Sequence, residues 1–148
     1  MAIYFNENEQ TFHLQNSKIS YLFTVLKNGY LGHLYFGKKV RHRDSFTHLI
    51  QKDNTSSLEL LKQEYPAYGN TDFRSPAYQI QLENGSTISD LRYLSHKIYK
   101  GKPKLEGLPA TYVENEDEAD TLEIELYDKV ANLKVTLIYT AFRDYDVI

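Results

Sequence analysis

The chain has 148 residues, 41% hydrophobic and 25% charged, with a formal net charge of −3 and no cysteine. That length suits one core and one domain, 1–148, and the weak negative charge excludes capture of nucleic acid by bulk electrostatics. Disulfides and thiolate chemistry are excluded, a cytoplasmic setting is expected, and the segment around Glu7 and Glu9 lacks the long apolar run of a signal or membrane span.

Taken in chain order, short strands are expected at Ile3–Phe5 and Thr11–Gln15. Asn28-Gly29 then lies between Ile19–Lys27 and Tyr30–Gly37, which reads as a hairpin with a type I′ turn. Residues 41–77 are polar and broken by Pro66, Gly69 and Pro76, so one long irregular loop is expected there. Within it, Ser56–Gln63 has the spacing for a turn or two of helix, with Leu58 and Leu61 on one face. Asn84-Gly85 marks a second hairpin between Tyr78–Glu83 and Ser86–Asp90, with Ile80 and Leu82 facing in. A further strand is expected at Leu91–Tyr99.

The strongest alternation follows. Leu122, Ile124 and Leu126 point one way, while Glu123, Glu125 and Tyr127 point the other. Leu133, Val135, Leu137, Tyr139 and Ala141 repeat the pattern after the short connection Asp128–Asn132, so these two runs form a hairpin. The second run meets no stop signal before Ile148, and it is expected to continue as a strand to that residue. The fold class is therefore all-β, an antiparallel β-sandwich.

The sequence holds few chemical motifs. The acidic run Glu114–Asp120 lacks the glycine that a calcium loop uses to bend, and it reads as a solvated loop. His13, His33, His42, His48 and His96 form no metal-binding pair spacing, so they read as polar strand and loop residues and no metal or cofactor is expected. His42-Arg43-Asp44 lacks the other parts of a kinase catalytic loop, and no Gly-X-Ser-X-Gly elbow or phosphate-binding glycine loop is present. Asn54 and Asn84 head Asn-X-Ser/Thr sequons, which carry no weight without a secretion signal. Asp72 stands beside Arg74 among the rings of Tyr65, Tyr68 and Phe73, a group able either to hold sugar hydroxyls or to brace the loop. The 13 tyrosines and 7 phenylalanines come without a single tryptophan, which argues against an autonomous sugar-binding platform.

Four blocks carry a resemblance. They are Gly32-His33-Leu34-Tyr35-Phe36-Gly37-Lys38-Lys39, the stretch from Gln63 to Ala77, the stretch from Lys97 to Tyr112, and the final Tyr145-Asp146-Val147-Ile148. In this order they resemble the start of the bacterial α-galactosidases of glycoside hydrolase family 36. The resemblance implies the N-terminal part of a supersandwich-like β domain, truncated at its C-terminal end. It also implies a parent enzyme that hydrolyses terminal α-galactosides such as melibiose and raffinose with retention. The family's two catalytic aspartates belong to a barrel that follows this domain, so no catalytic residue is carried over, and the chain alone is expected to be a non-catalytic structural and oligomerisation module.

The resemblance further implies that the loop 41–77 leans over a neighbouring subunit's substrate mouth. Asp53, Tyr65, Tyr68, Asp72, Phe73 and Arg74 are its candidate contact residues. The Gln51–Ser57 portion departs from the family pattern, with Lys52-Asp53-Asn54-Thr55 where a longer stretch containing arginine and proline is expected. Partners are then the subunits of the parent enzyme and other copies through sheet edges, with galactosides bound weakly or not at all. Two other readings stand beside this one: an independent carbohydrate-binding module, and a small interaction protein descended from a decayed gene.

Overall fold

A computed structural model describes residues 2–50, 62–68, 74–107 and 109–148. Seven strands carry it: β1 (Ala2–Asn6), β2 (Thr11–Gln15), β3 (Ile19–Val25), β4 (Leu31–Lys38), β5 (Arg92–Lys100), β6 (Ala119–Asp128) and β7 (Leu133–Phe142). The first four form one antiparallel sheet in the order β1-β2-β3-β4, and the last three form a second in the order β5-β6-β7. The strands lie where alternation and β-propensity placed them.

The two sheets pack face to face. Phe12 and Leu14 of β2, Phe23 of β3 and Leu31 of β4 meet Leu91 and Leu122, Ile124 and Leu126 of β6 in one buried cluster. Aromatic rings cross the gap between the sheets. Phe23 stacks on Tyr139 with centroids 5.2 Å apart, and Phe12 meets His96 edge-on at 4.9 Å. Each such pair adds to the area term that dominates the stability of a sandwich core.

Two expectations about turns are corrected. In both Asn-Gly turns the positive φ falls on the glycine alone, 86° at Gly29 and 82° at Gly85, whereas type I′ needs it at both central positions. Leu26 N–H donates to Tyr30 O and Gly29 N–H to Leu26 O, both at 2.8 Å, so the loop is the three-residue kind closed by a left-handed glycine. The asparagine carboxamide explains the choice. Asn28 Oδ1 accepts from Tyr30 N (3.2 Å) and Asn84 Oδ1 from Ser86 N (2.9 Å), which ties each asparagine to the backbone two residues on. The second turn also does not sit in a ladder. Leu82 N bonds Ser86 O at 2.9 Å, but neither flank is a strand, although Ile80 and Leu82 are half-buried between exposed neighbours.

The end of β7 differs as well. The strand stops at Phe142 and the chain folds back, with Phe142 N donating to Val147 O at 3.5 Å and Ile148 packing on the core. The cause lies far away in sequence. Asn16, buried in the β2–β3 turn, donates through Nδ2 to Phe142 O (3.1 Å) and Tyr145 O (2.8 Å), bending the chain around its side chain. Arg143 is held by Asp117 (2.7 Å) and Asp144 (3.3 Å).

Residues 39–50 cross the outer face of the first sheet as a strap. Lys39 N donates to Lys18 O (2.6 Å), Val40 N to Ser20 Oγ (3.1 Å), Asn6 Nδ2 to Asp44 O (2.5 Å) and Phe46 N to Glu9 Oε2 (3.2 Å). Phe46 is only 5% exposed. The opening stretch of the long loop is thus anchored, through contacts made by polar residues that periodicity does not reveal. Most of the predicted Ser56–Gln63 helix lies outside the described residues, and Gln63, at its end, forms a β-bridge with Gly32.

Candidate functional site

The candidate residues come from two stretches that return to the sandwich at 62–68 and 74–78. The first is seated on the edge of β4. His33 N donates to Lys62 O (2.7 Å) and Glu64 N to Leu31 O (3.0 Å), a short stretch of antiparallel pairing that covers part of an otherwise open edge.

This pairing delivers Glu64 into the seam between the sheets. Its side chain is only 3% exposed. Tyr21 of β3 donates to Oε2 at 2.5 Å, Tyr139 of β7 donates to the same oxygen at 3.1 Å, and His33 Nδ1 of β4 meets Oε1 at 2.7 Å. Burial, and then the facing Glu64 charge, push the ionisation of both tyrosine hydroxyls far above its usual range. A carboxylate so enclosed and so fully bonded has no open face for a sugar hydroxyl. Its chemistry is that of a brace joining the loop to both sheets.

Tyr65 follows directly and lies flat on Tyr78, with centroids 5.0 Å apart and planes 6° from parallel. Both rings pack against the core. Ala77 N donates to Pro66 O at 2.9 Å, closing the base of the intervening segment. Tyr68 is 47% exposed and opens a surface cleft of about 550 Å³. Pro76, Tyr78, Gln79, Gln81 and Ser89 share its walls. Tyr78 and Ser89 are joined by a short hydroxyl–hydroxyl hydrogen bond, and burial raises the Tyr78 hydroxyl pKa.

Of the six predicted contact residues, Tyr65 and Tyr68 are brought to this patch, Tyr65 as an anchor and Tyr68 as an exposed ring. Arg74 is half-buried. Asp53, Asp72 and Phe73 lie outside the described residues, and with them the proposed Asp72–Arg74 brace. Sequence reasoning missed Glu64 as the centre of a network, together with Tyr21, His33, Tyr139 and Tyr78. The Glu64 partners stand 43, 31 and 75 positions away, so no local spacing signals them. Among the described residues no group of three or more histidines, cysteines or carboxylates is arranged to hold a metal ion, and no helix is long and apolar enough to cross a membrane.

The acidic run behaves as a local turn. Glu118 reaches back to the backbone of Asn115 in a capping box, and its carboxyl pKa is lowered mainly by the Asn115 side chain.

Comparison with known proteins places this architecture. Residues 29–148 match the model of the glycosyl hydrolase family 36 N-terminal domain. Alpha-galactosidase AgaA of Geobacillus stearothermophilus is 54% identical over 159 aligned positions, covering 100% of this chain and 22% of the relative. The crystal structure of the family 36 α-galactosidase AgaB from the same organism superposes with a TM-score of 0.87 at 55% identity, over 98% of this chain and 21% of that one. A doubly substituted AgaA solved in complex with raffinose superposes with a TM-score of 0.83 at 52% identity, over 91% of this chain and 20% of that one. The chain therefore spans about a fifth of the length of the proteins it matches.

Proposed function

The chain belongs to the glycosyl hydrolase family 36 N-terminal domain family, and on that premise we propose that it serves as the non-catalytic N-terminal domain of an α-galactosidase. One observation carries the proposal. The match to α-galactosidases runs through the whole of this chain at 54% identity, yet takes up only 22% of the relative. The residues that hydrolyse the sugar are to be sought in the part of such enzymes that lies outside the match. The parent activity we infer is release of terminal α-linked galactose, with retention, from oligosaccharides of the raffinose type, in line with the complex of the AgaA relative. The absence of cysteine supports a cytoplasmic setting.

Within that enzyme the domain acts as a structural and assembly module. The Glu64 brace and the Tyr65–Tyr78 stack support a loop held rigidly at its C-terminal root, as presentation to a neighbouring subunit requires. The edges of β5 and β7, each paired on one side in its sheet, support self-association. Tyr68 with the cleft amides Gln79 and Gln81 favours a second reading, a weak sugar-binding surface.

Calorimetric titration of the 148-residue chain with galactose, melibiose and raffinose separates the two readings. The module reading expects no heat of binding and no turnover of nitrophenyl α-galactoside at any pH. Saturable heat that disappears in Tyr68→Ala establishes the sugar-binding surface instead. Sedimentation at high concentration tests self-association, and a monodisperse monomer counts against it.

A further inference from the structure

His13 is a buried imidazole with no part in the sandwich core or in the proposed module role. It stands on β2 with its ring on the outer face of the first sheet, 1% exposed. Both ring nitrogens are engaged, Nδ1 with Nδ1 of His42 at 3.0 Å and Nε2 with Ser20 Oγ at 2.9 Å. His42 is an exposed residue of the 39–50 strap. Tyr4 of β1 stacks on its ring at 4.1 Å, and Phe46 of the strap closes edge-on over His13 at 5.4 Å. The hydroxyl of Ser20 also accepts the Val40 N–H at 3.1 Å, so the entry to the strap depends on the same contact.

The charges facing this pair are unfavourable to a second proton. From the strap come His42 itself and Lys39, whose positive charge, on His42 only when it is protonated, acts against a proton on His13. From β1 comes Tyr4, and from β3 the neutral Ser20. Glu9 accepts the Phe46 N–H, and Asp44 touches β1 through its backbone carbonyl. Among the described residues no carboxylate pairs with either imidazole.

The two facing Nδ1 atoms share one proton, since one must donate and the other accept. A first added proton is tolerated, because a fully protonated His42 still donates to an unprotonated His13 Nδ1. A second, on His13, places hydrogens on both facing nitrogens and two cations on rings 5.3 Å apart. We propose that His13 and His42 form an acid-released latch, whose double protonation detaches the 39–50 strap from the first sheet while the sandwich stays folded. Release exposes His13 and Ser20 and frees the N-terminal root of the loop.

The pH window follows from the chemistry of the ring. Burial first, then the charges of His42 and Lys39, hold His13 at a pKa of about 4, against an ordinary value of 6.5. With the strap open, the ring regains water and takes up protons that the closed form refuses. Opening therefore grows as pH falls below 6.5 and levels off below about 4.

Amide hydrogen exchange on the 148-residue chain at pH 7 and pH 5, corrected for intrinsic rates, tests the latch. Exchange of a peptide covering residues 40–50 should rise about twentyfold from pH 7 to pH 5, while a peptide covering β6 stays unchanged. His13→Gln, which keeps a hydrogen-bonding side chain and removes the titration, should flatten that response. If this variant does not fold, an NMR titration of the His13 ring in the unaltered chain replaces it, with proton uptake expected to track strap exchange. A rise of about twentyfold that persists in His13→Gln overturns the proposal. So does opening of β6 together with the strap, or titration of His13 that leaves strap protection intact.

Discussion

The two sheets share one inner face and differ in what lies on their outer faces. On the first sheet the outward residues of β2, Thr11, His13 and Gln15, are buried like the inward Phe12 and Leu14, and the strap covers His13 through His42 and Phe46. On the second sheet Glu123, Glu125 and Tyr127 of β6 reach solvent, while Thr121 near its start is buried against Gly101 and Thr140. Glu125 pairs with Lys134 at 2.5 Å and accepts from Ser95 Oγ at 2.8 Å, and Tyr99 donates to Glu123. The same period-2 pattern thus has two outcomes. Polar residues facing water exchange partners freely and contribute little, while a buried polar residue either finds fixed partners, as His13 does in His42 and Ser20, or carries a cost, as at Gln15, whose Oε1 has no hydrogen-bond partner among the described residues. The cost of a change should follow what covers a residue rather than how polar it is.

The largest departure from that rule is expected at high pH. Tyr21 and Tyr139 ionise far above the ordinary value of 10.0 because they are buried against Glu64, whereas the unfolded chain releases both protons near 10.0. The unfolded state is the one favoured as pH climbs, so stability should fall progressively above pH 10. Phenolate absorbance should show these two hydroxyls titrating only with unfolding, and their early titration in a folded sample would contradict the brace. Next in size is the inner face. Leu122→Ala, at 0% exposure, should cost about 3 kcal/mol in urea denaturation. Glu64→Ala should follow at about 2 kcal/mol, since two hydroxyls and an imidazole lose their acceptor. Its coupling with Tyr139→Phe should be strongly non-additive, and strict additivity would mean the cluster does not act as a unit.

Smaller effects separate the two Asn-Gly turns. Gly29→Ala should destabilise by about 1 kcal/mol or more, because the residue has φ of 86° and the new Cβ meets Arg92 Cβ at 3.2 Å. Gly85→Ala meets only the backbone strain, with nothing within 4 Å, and should cost less. Equal costs would imply that the two turns are equivalent in the fold. Smallest of all is Glu125→Gln on the open outer face, where the melting temperature should not change measurably.

Legibility followed the same division. β6 and β7 were readable because Leu122, Ile124 and Leu126 alternate with residues that do face water. β2 was placed correctly from propensity, yet nothing in Thr-Phe-His-Leu-Gln says that His13 is covered, since its cover arrives from residue 42. The Asn-Gly signals located both turns but not their type, which the asparagine side chains decide. The rings of Tyr65, Tyr68 and Phe73 were legible as a group without a role, while the stacking of Tyr65 on Tyr78 and the neighbouring Glu64 cluster emerged only from folding.

By itself the sequence determined the class of the fold, the places and order of the seven strands that form, and the family to which they belong, while it also placed strands at 78–83 and 86–90 that do not form. Those are local or linear properties, written in alternation, turn residues and the order of motifs. Tertiary structure alone decided where β7 stops, which polar residues are buried, and what holds the loop roots. Asn16 bends the chain after Phe142, His42 covers His13, and Glu64 joins three strands. Each is a hydrogen bond between residues at least 29 positions apart, and its worth depends on the water that packing removes from around it.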